Sequence, residues 1–161
     1  MNQLAQSIIA NATELSNIKD DVSELINKTY NPVEYSGMGR VILRKNMVNG
    51  VNVLTQEMIN QANTIYVIRY DFTLTSDVTI PENCILEFNG GSVSGNGTDK
   101  STITLNNTFI DGNNCFNSSI ILSGTCANNE VKTEWYNIAT DGIASWTNAL
   151  NSLVAISKGT V

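Results

Sequence analysis

The stretch PENCILEFNGGSVSGNG, residues 81–97, sets a short apolar run against a burst of glycine, asparagine and serine. No helix accommodates that many glycines, each costing about 1 kcal/mol against alanine in a helix interior. A single hairpin does not need them all. They suit a chain that makes a short strand, turns sharply, makes another strand and repeats. Cys84, Leu86 and Phe88 alternate with Ile85 and Glu87, the period of a strand. Asn89-Gly90-Gly91 is a corner, and Val93 and Ser94 open the next strand. The rhythm continues with 103–105, 108–110, an Asp111-Gly112-Asn113-Asn114 turn, 120–122 and a Ser123-Gly124 corner, through residue 126. Glycine and asparagine adopt left-handed backbone at least cost, so they mark the corners. Stacked rungs of a parallel β-helix fit this pattern, because no rung can bury its inner face alone. The expected shaft core is Leu86, Phe88, Val93, Ile103, Leu105, Ile120 and Leu122. A β-sandwich is the competing arrangement, with longer strands and more even spacing.

Residues 1–30 have a different grammar. They contain no glycine or proline and carry a narrow apolar stripe. Ile8, Leu15 and Val22 fall at heptad position a; Leu4, Asn11, Ile18 and Leu25 fall at d. The remaining faces are mostly polar. So thin a stripe gains little by packing on a globular core and more by pairing with copies of itself. A polar Asn11 in the seam specifies register at some cost in stability. The spacing therefore predicts a coiled-coil oligomerisation helix, against the alternative of an amphipathic helix folded back on its own domain. The mix of Ile, Leu and Val at a and d leaves the number of strands open.

Asn31-Pro32 ends that helix, since proline disfavours helix at the residue before it. Residues 31–39 read as a linker, 40–129 as a β-rich shaft, and 130–161 as a capping helix and the start of a β-helix, in a chain expected to continue. Within the shaft, 40–45 reads as a strand and Asn49-Gly50 as a hairpin turn. Thr55 reads as the N-cap of a short helix through Gln61, 64–74 as one long β-rich run, and 78–80 as a short strand. In the tail, Asp141-Gly142 is a turn. Ser145 can N-cap a helix over 146–157 with Leu150, Leu153, Val154 and Ile156 on its apolar side, and Lys158-Gly159 is its stop.

The chemistry on offer is sparse. The chain has 161 residues, a net charge of -6 and only 15% charged residues, low against the usual quarter. An acidic chain with scattered lysine and arginine is a poor ligand for nucleic acid. No run of about 20 apolar residues predicts membrane insertion, and no signal peptide is legible. The expectation is synthesis in a cytoplasm and release by some route other than secretion. With three cysteines, Cys84, Cys115 and Cys126, and no histidine, neither a metal site nor a cofactor site is expected, and the thiols read as small buried hydrophobes. Serine or cysteine nucleophiles lack a histidine base. The acidic residues form no paired motif, and Glu87 should point outward from its rung. No catalytic residue is expected within these residues. Among the aromatics, Trp135 and Tyr136 are the best candidates for stacking on a sugar ring.

Two stretches resemble known families. TDGIASWTNALNSLVAISKGTV, residues 140–161, resembles the opening of the pectate-lyase-like right-handed β-helix of phage tailspikes and polysaccharide-degrading enzymes. Asp141, Gly142, the following helix and Gly159-Thr160-Val161 match that pattern in order. The acidic residue usual after the Asp-Gly turn is replaced by Ala144 and Ser145. Residues 37–98, including GMGRVILRKN, TIYVIRYDFTL and VTIPENCILEFNGGSVSGNGT, resemble the N-terminal module of tail-fibre-like proteins of crAss-like gut bacteriophages. The resemblance implies a virion structural protein made in a host bacterial cytoplasm. Its N-terminal helix would trimerise and dock on phage tail or other virion proteins, and a distal body, glycan-degrading in some such proteins, would meet a host surface glycan or receptor. A glycan-binding or adaptor module without the phage context is the alternative, and a polysaccharide lyase or hydrolase a further one.

Overall fold

The computed structural model describes residues 3–30, 37–97, 100–137 and 146–157, the side chains of 24 and 26–30 excepted. It is mainly β, with solenoid-like stacking of about four turns between an N-terminal helix and a short C-terminal helix. Helix α1 is Gln3–Tyr30. Ten strands follow: β1 Gly39–Ile42, β2 Met47–Val48, β3 Val51–Leu54, β4 Thr64–Ile68, β5 Phe72–Leu74, β6 Val78–Thr79, β7 Ile85–Phe88, β8 Val93–Gly95, β9 Ser101–Asp111 and β10 Ile120–Cys126. Helix α2 is Thr147–Ile156. Linker residues 31–36, the Asp141-Gly142 turn with Ala144 and Ser145, and Gly159-Thr160-Val161 lie outside the described residues.

Apart from the antiparallel β2–β3 hairpin, every ladder is parallel. One side of the solenoid stacks β1, β4, β7 and the second half of β9. A second stacks β3, β5 and β8, continued by single bridges from Val93 to Phe116 and from Phe116 to Tyr136. The third stacks β6, the first half of β9, and β10. Ile65 pairs with Ile85 and Ile85 with Phe109, so one turn takes about 20–25 residues, within the range for stacked repeats.

Parallel register puts like on like. Phe72, Val93, Phe116 and Tyr136 form one inner column; Val78, Ile103 and Leu122 form another. Leu86, Val93, Ile103, Leu105, Ile120 and Leu122 are buried in the main cluster. Phe88 is half-buried against it and meets Phe116 edge to face at 5.2 Å. On the outer face of the first side, Ile42, Ile65 and Val67 make a smaller cluster with Met38 and Ile85. Glu87 shares that outer face, where both its oxygens accept from the Arg40 guanidinium at 2.8 Å.

The corners explain the asparagines. Asn63, Asn83 and Asn107 stand at φ of 52, 58 and 50°, the left-handed region. They are stacked in successive turns. The Asn83 amide donates to Asn63 at 3.4 Å and the Asn107 amide to Asn83 at 2.8 Å. Each asparagine thus turns the chain and hydrogen-bonds its counterpart in the neighbouring turn.

Several local expectations need correction. Residues 64–74 are two strands on different sides, because Arg69, Tyr70 and Asp71 form a corner. Conversely, 101–111 is one strand whose alternation changes phase at Asn106 and Asn107, and Ser123-Gly124 lies within β10. The segment after Thr55 is only a 3-10 turn, Gln56–Met58, without a side-chain cap. The Gln56 side chain does different work: its amide exchanges two hydrogen bonds with the Thr79 backbone, at 2.7 and 2.8 Å, and so completes the edge of β6. Helix α2 buries Ala149, Ser152, Leu153 and Ile156, while Leu150 and Val154 are exposed. The Ser152 hydroxyl accepts from the Leu122 amide at 3.2 Å, which is why a polar residue faces β10.

All three cysteines are free and buried. Burial pushes the Cys115 thiol up from 9.0 to about 12, with the nearby Asp111 charge adding, and pushes the Tyr136 phenol up from 10.0 to about 12. Well below pH 9 both groups are protonated in the folded and unfolded chain alike. Above it, the unfolded chain sheds protons that the folded chain keeps, so stability falls as pH climbs towards 12. The urea midpoint should therefore be lower at pH 10.5 than at pH 8. At pH 8 a thiol reagent should leave the native chain unmodified and label all three cysteines after denaturation. Rapid native labelling would contradict the burial.

Candidate oligomerisation helix and its junction with the solenoid

Helix α1 runs 28 residues, about 42 Å at 1.5 Å per residue. Its stripe is in the open: Leu4 is 68% exposed, Ile8 59%, Leu15 68%, Ile18 53%, Val22 51% and Leu25 66%. Asn11 is exposed with them. The helix does fold against its own solenoid, but with the opposite, polar face. The Ser16 hydroxyl lies 2.9 Å from the Tyr70 hydroxyl, which donates to the Asp20 carboxylate at 3.1 Å. The same carboxylate oxygen stands 3.5 Å from the Arg69 guanidinium. At the exposed rim, Arg44 donates to Asp21, and the Lys45 ammonium sits 4.6 Å from the centre of the Tyr70 ring.

Asp20 is the centre of this junction. It is 2% exposed, and its second oxygen, Oδ2, has no hydrogen-bond partner among the described residues. A buried carboxylate is tolerable only beside compensating charge and donors, which Arg69 and Tyr70 supply. Replacing Asp20 with alanine removes a charged hydrogen bond, worth about 1–3 kcal/mol. Amide exchange over 16–21 should quicken roughly 5–150-fold while the solenoid strands keep their protection. Unchanged exchange would mean that Asp20 does not hold the helix. Beside the junction, between α1 and the β2–β3 hairpin, lies an open cleft of about 620 Å³ whose lining includes Ile9, Thr13, Asn17, Lys45 and Met47.

Trp135 and Tyr136 are not available to a sugar. They are 1% and 3% exposed. The Tyr136 hydroxyl donates to the Ile120 carbonyl at 3.1 Å, and its ring meets Phe116 at 5.8 Å. Both rings fill the end of the solenoid core beneath α2, the place where a parallel stack would otherwise expose its apolar interior. Several acids are committed to the fold: Glu87 to Arg40, Asp71 to the Ser92 hydroxyl at 2.8 Å, and Asp77 to the Thr102 amide at 2.7 Å. Among the described residues no group of three or more His, Cys, Asp or Glu side chains could hold a metal ion, and no helix is long and apolar enough to cross a membrane.

Sequence reasoning found the apolar stripe of α1 but missed the docking face. Ser16 and Asp20 sit one turn apart opposite the stripe, a spacing that any solvated helix face shows. Their partners Arg69 and Tyr70 lie some fifty residues away. No family model, curated protein or solved structure matches this chain.

Proposed function

We propose that this chain is the virion-attachment and trimerisation part of a phage tail fibre or tailspike, presenting a distal body that meets a host surface glycan or receptor. One observation carries the reading furthest: α1 spends its polar face on the solenoid and leaves its heptad seam exposed. An exposed stripe of six aliphatic side chains on a docked helix calls for a partner, and a heptad stripe calls for other helices. Docked in threes on the tail, the helices would hold a rod of stacked turns and give a weakly binding tip the avidity it needs. Burial of Trp135 and Tyr136 removes the best candidates for the alternative, a free-standing glycan-binding module.

The test is direct. Gold-labelled antibody raised against the solenoid should decorate the tails of purified particles from the source that makes this chain. Particles left bare, with the protein found only free in the lysate, would overturn the proposal.

A further inference from the structure

We infer that the α1 helices associate in parallel and in register, and that each solenoid stays docked on the outside of the helical bundle it helps to form; this rests on the oligomerisation reading above. The heptad wheel assigns the two faces of α1 to different partners. With Ile8, Leu15 and Val22 at a and Asn11, Ile18 and Leu25 at d, Ser16 falls at b, Asn17 at c, and Thr13 and Asp20 at f. Those outward positions hold the buried contacts with the chain's own solenoid, through Ser16 and Asp20 to Tyr70, and line the cleft beside the hairpin, through Thr13 and Asn17. At g, Glu14 reaches the edge of that cleft and Asp21 meets Arg44 at the rim of the junction. A helix whose outer face is docked on its own body and whose a/d stripe is exposed can satisfy both partners at once. The bodies then flank the helices instead of following them end to end.

Direction follows from charge and from the polar layer. Glu14 falls at g and Lys19 at the next e, and both are exposed. In a parallel pair g faces the following e of the neighbour, so Glu14 of one helix meets Lys19 of the next. Antiparallel pairing packs a against d and sets g against g, which places Glu14 near its own copy or near Asp21, a like-charge contact in either register. It also sets Asn11 against Leu15 or Val22, burying an amide against an aliphatic side chain without a polar partner. Parallel register stacks Asn11 on Asn11, where the amides can hydrogen-bond one another.

The experiment uses the full chain carrying Asn11→Cys, oxidised under mild conditions that leave the three buried native thiols untouched. The expected result is an 11–11 disulfide between chains on a non-reducing gel. A second variant, Asp21→Cys/Arg44→Cys, is joined within each chain by a short bis-maleimide, pinning α1 to its solenoid at the rim contact. Sedimentation should show the pinned protein at the same oligomeric mass as the unmodified chain. If the unmodified chain sediments as a single chain, the oligomerisation reading fails and this inference with it. An oligomer that forms no 11–11 bond overturns the parallel register alone. An oligomer that falls apart on pinning overturns the flanking arrangement alone.

Discussion

Gly124→Ala should lower the melting temperature of the solenoid by roughly 5–20 °C, from a loss of about 2–5 kcal/mol at about 2–4 °C per kcal/mol for a chain of this size. Two costs combine. Gly124 stands at φ +84°, a left-handed conformation that costs a side-chain-bearing residue about 1–2 kcal/mol. Its position for a Cβ is also occupied, because that atom would lie 2.1 Å from the Leu105 carbonyl oxygen, on the residue Gly124 pairs with across the β9–β10 ladder. Relief requires the last turn to move away from its neighbour, which strains the stack by about 1–3 kcal/mol more. Gly90 separates the two terms. It has φ +92° but nothing within 4 Å of its Cβ position, so Gly90→Ala should cost only the conformational part. Melting curves followed by circular dichroism decide the matter. A Gly124 variant no worse than the Gly90 variant would mean that the turns are not stacked as closely as described.

The second large effect concerns assembly. Leu15→Asp/Ile18→Asp should convert the protein to single chains while the solenoid melts where it did before. Both side chains are exposed in the single chain, at 68% and 53%, so the fold gains little from them. In a coiled coil they would be buried at about 1.5–3 kcal/mol each. Losing both removes about 3–6 kcal/mol per helix, a weakening of upwards of a hundredfold, and the introduced carboxylates would repel one another in the seam. Light scattering gives the mass and circular dichroism the stability. A double variant that keeps its oligomer would show that the seam is not the interface. One that loses its solenoid fold would show that the stripe belongs to the core after all.

How much of this was readable beforehand follows a physical divide between local and distant determinants. Strand periodicity and corner chemistry are local, so the stacked-strand architecture was legible in stretches such as 81–97. The long α1 helix was legible for the same reason: an unbroken run without glycine or proline, with a stripe at heptad spacing. Whatever depends on a distant partner was hidden. The exposed Leu150 and Val154 and the buried Ser152 of α2 reverse simple hydropathy because α2 lies on β10, whose Leu122 amide needs an acceptor. Trp135 and Tyr136 read from the sequence either as a sugar-stacking pair or as a hydrophobic plug where the shaft meets the capping helix. Burial bears out the plug, but only the stack shows that Tyr136 continues a column begun by Phe72, three turns earlier. The junction at Asp20 depends on a corner at Arg69 and Tyr70 that only the folded solenoid brings to the helix.

The central claim is that an exposed heptad seam on a docked helix joins copies of this chain. Native mass spectrometry of the intact protein, with ejection of one subunit to weigh a single chain, tests it most directly. The account predicts an assembly weighing three times its ejected subunit, lost in the Leu15→Asp/Ile18→Asp variant. A wild-type protein that flies as one chain at micromolar concentration would contradict it.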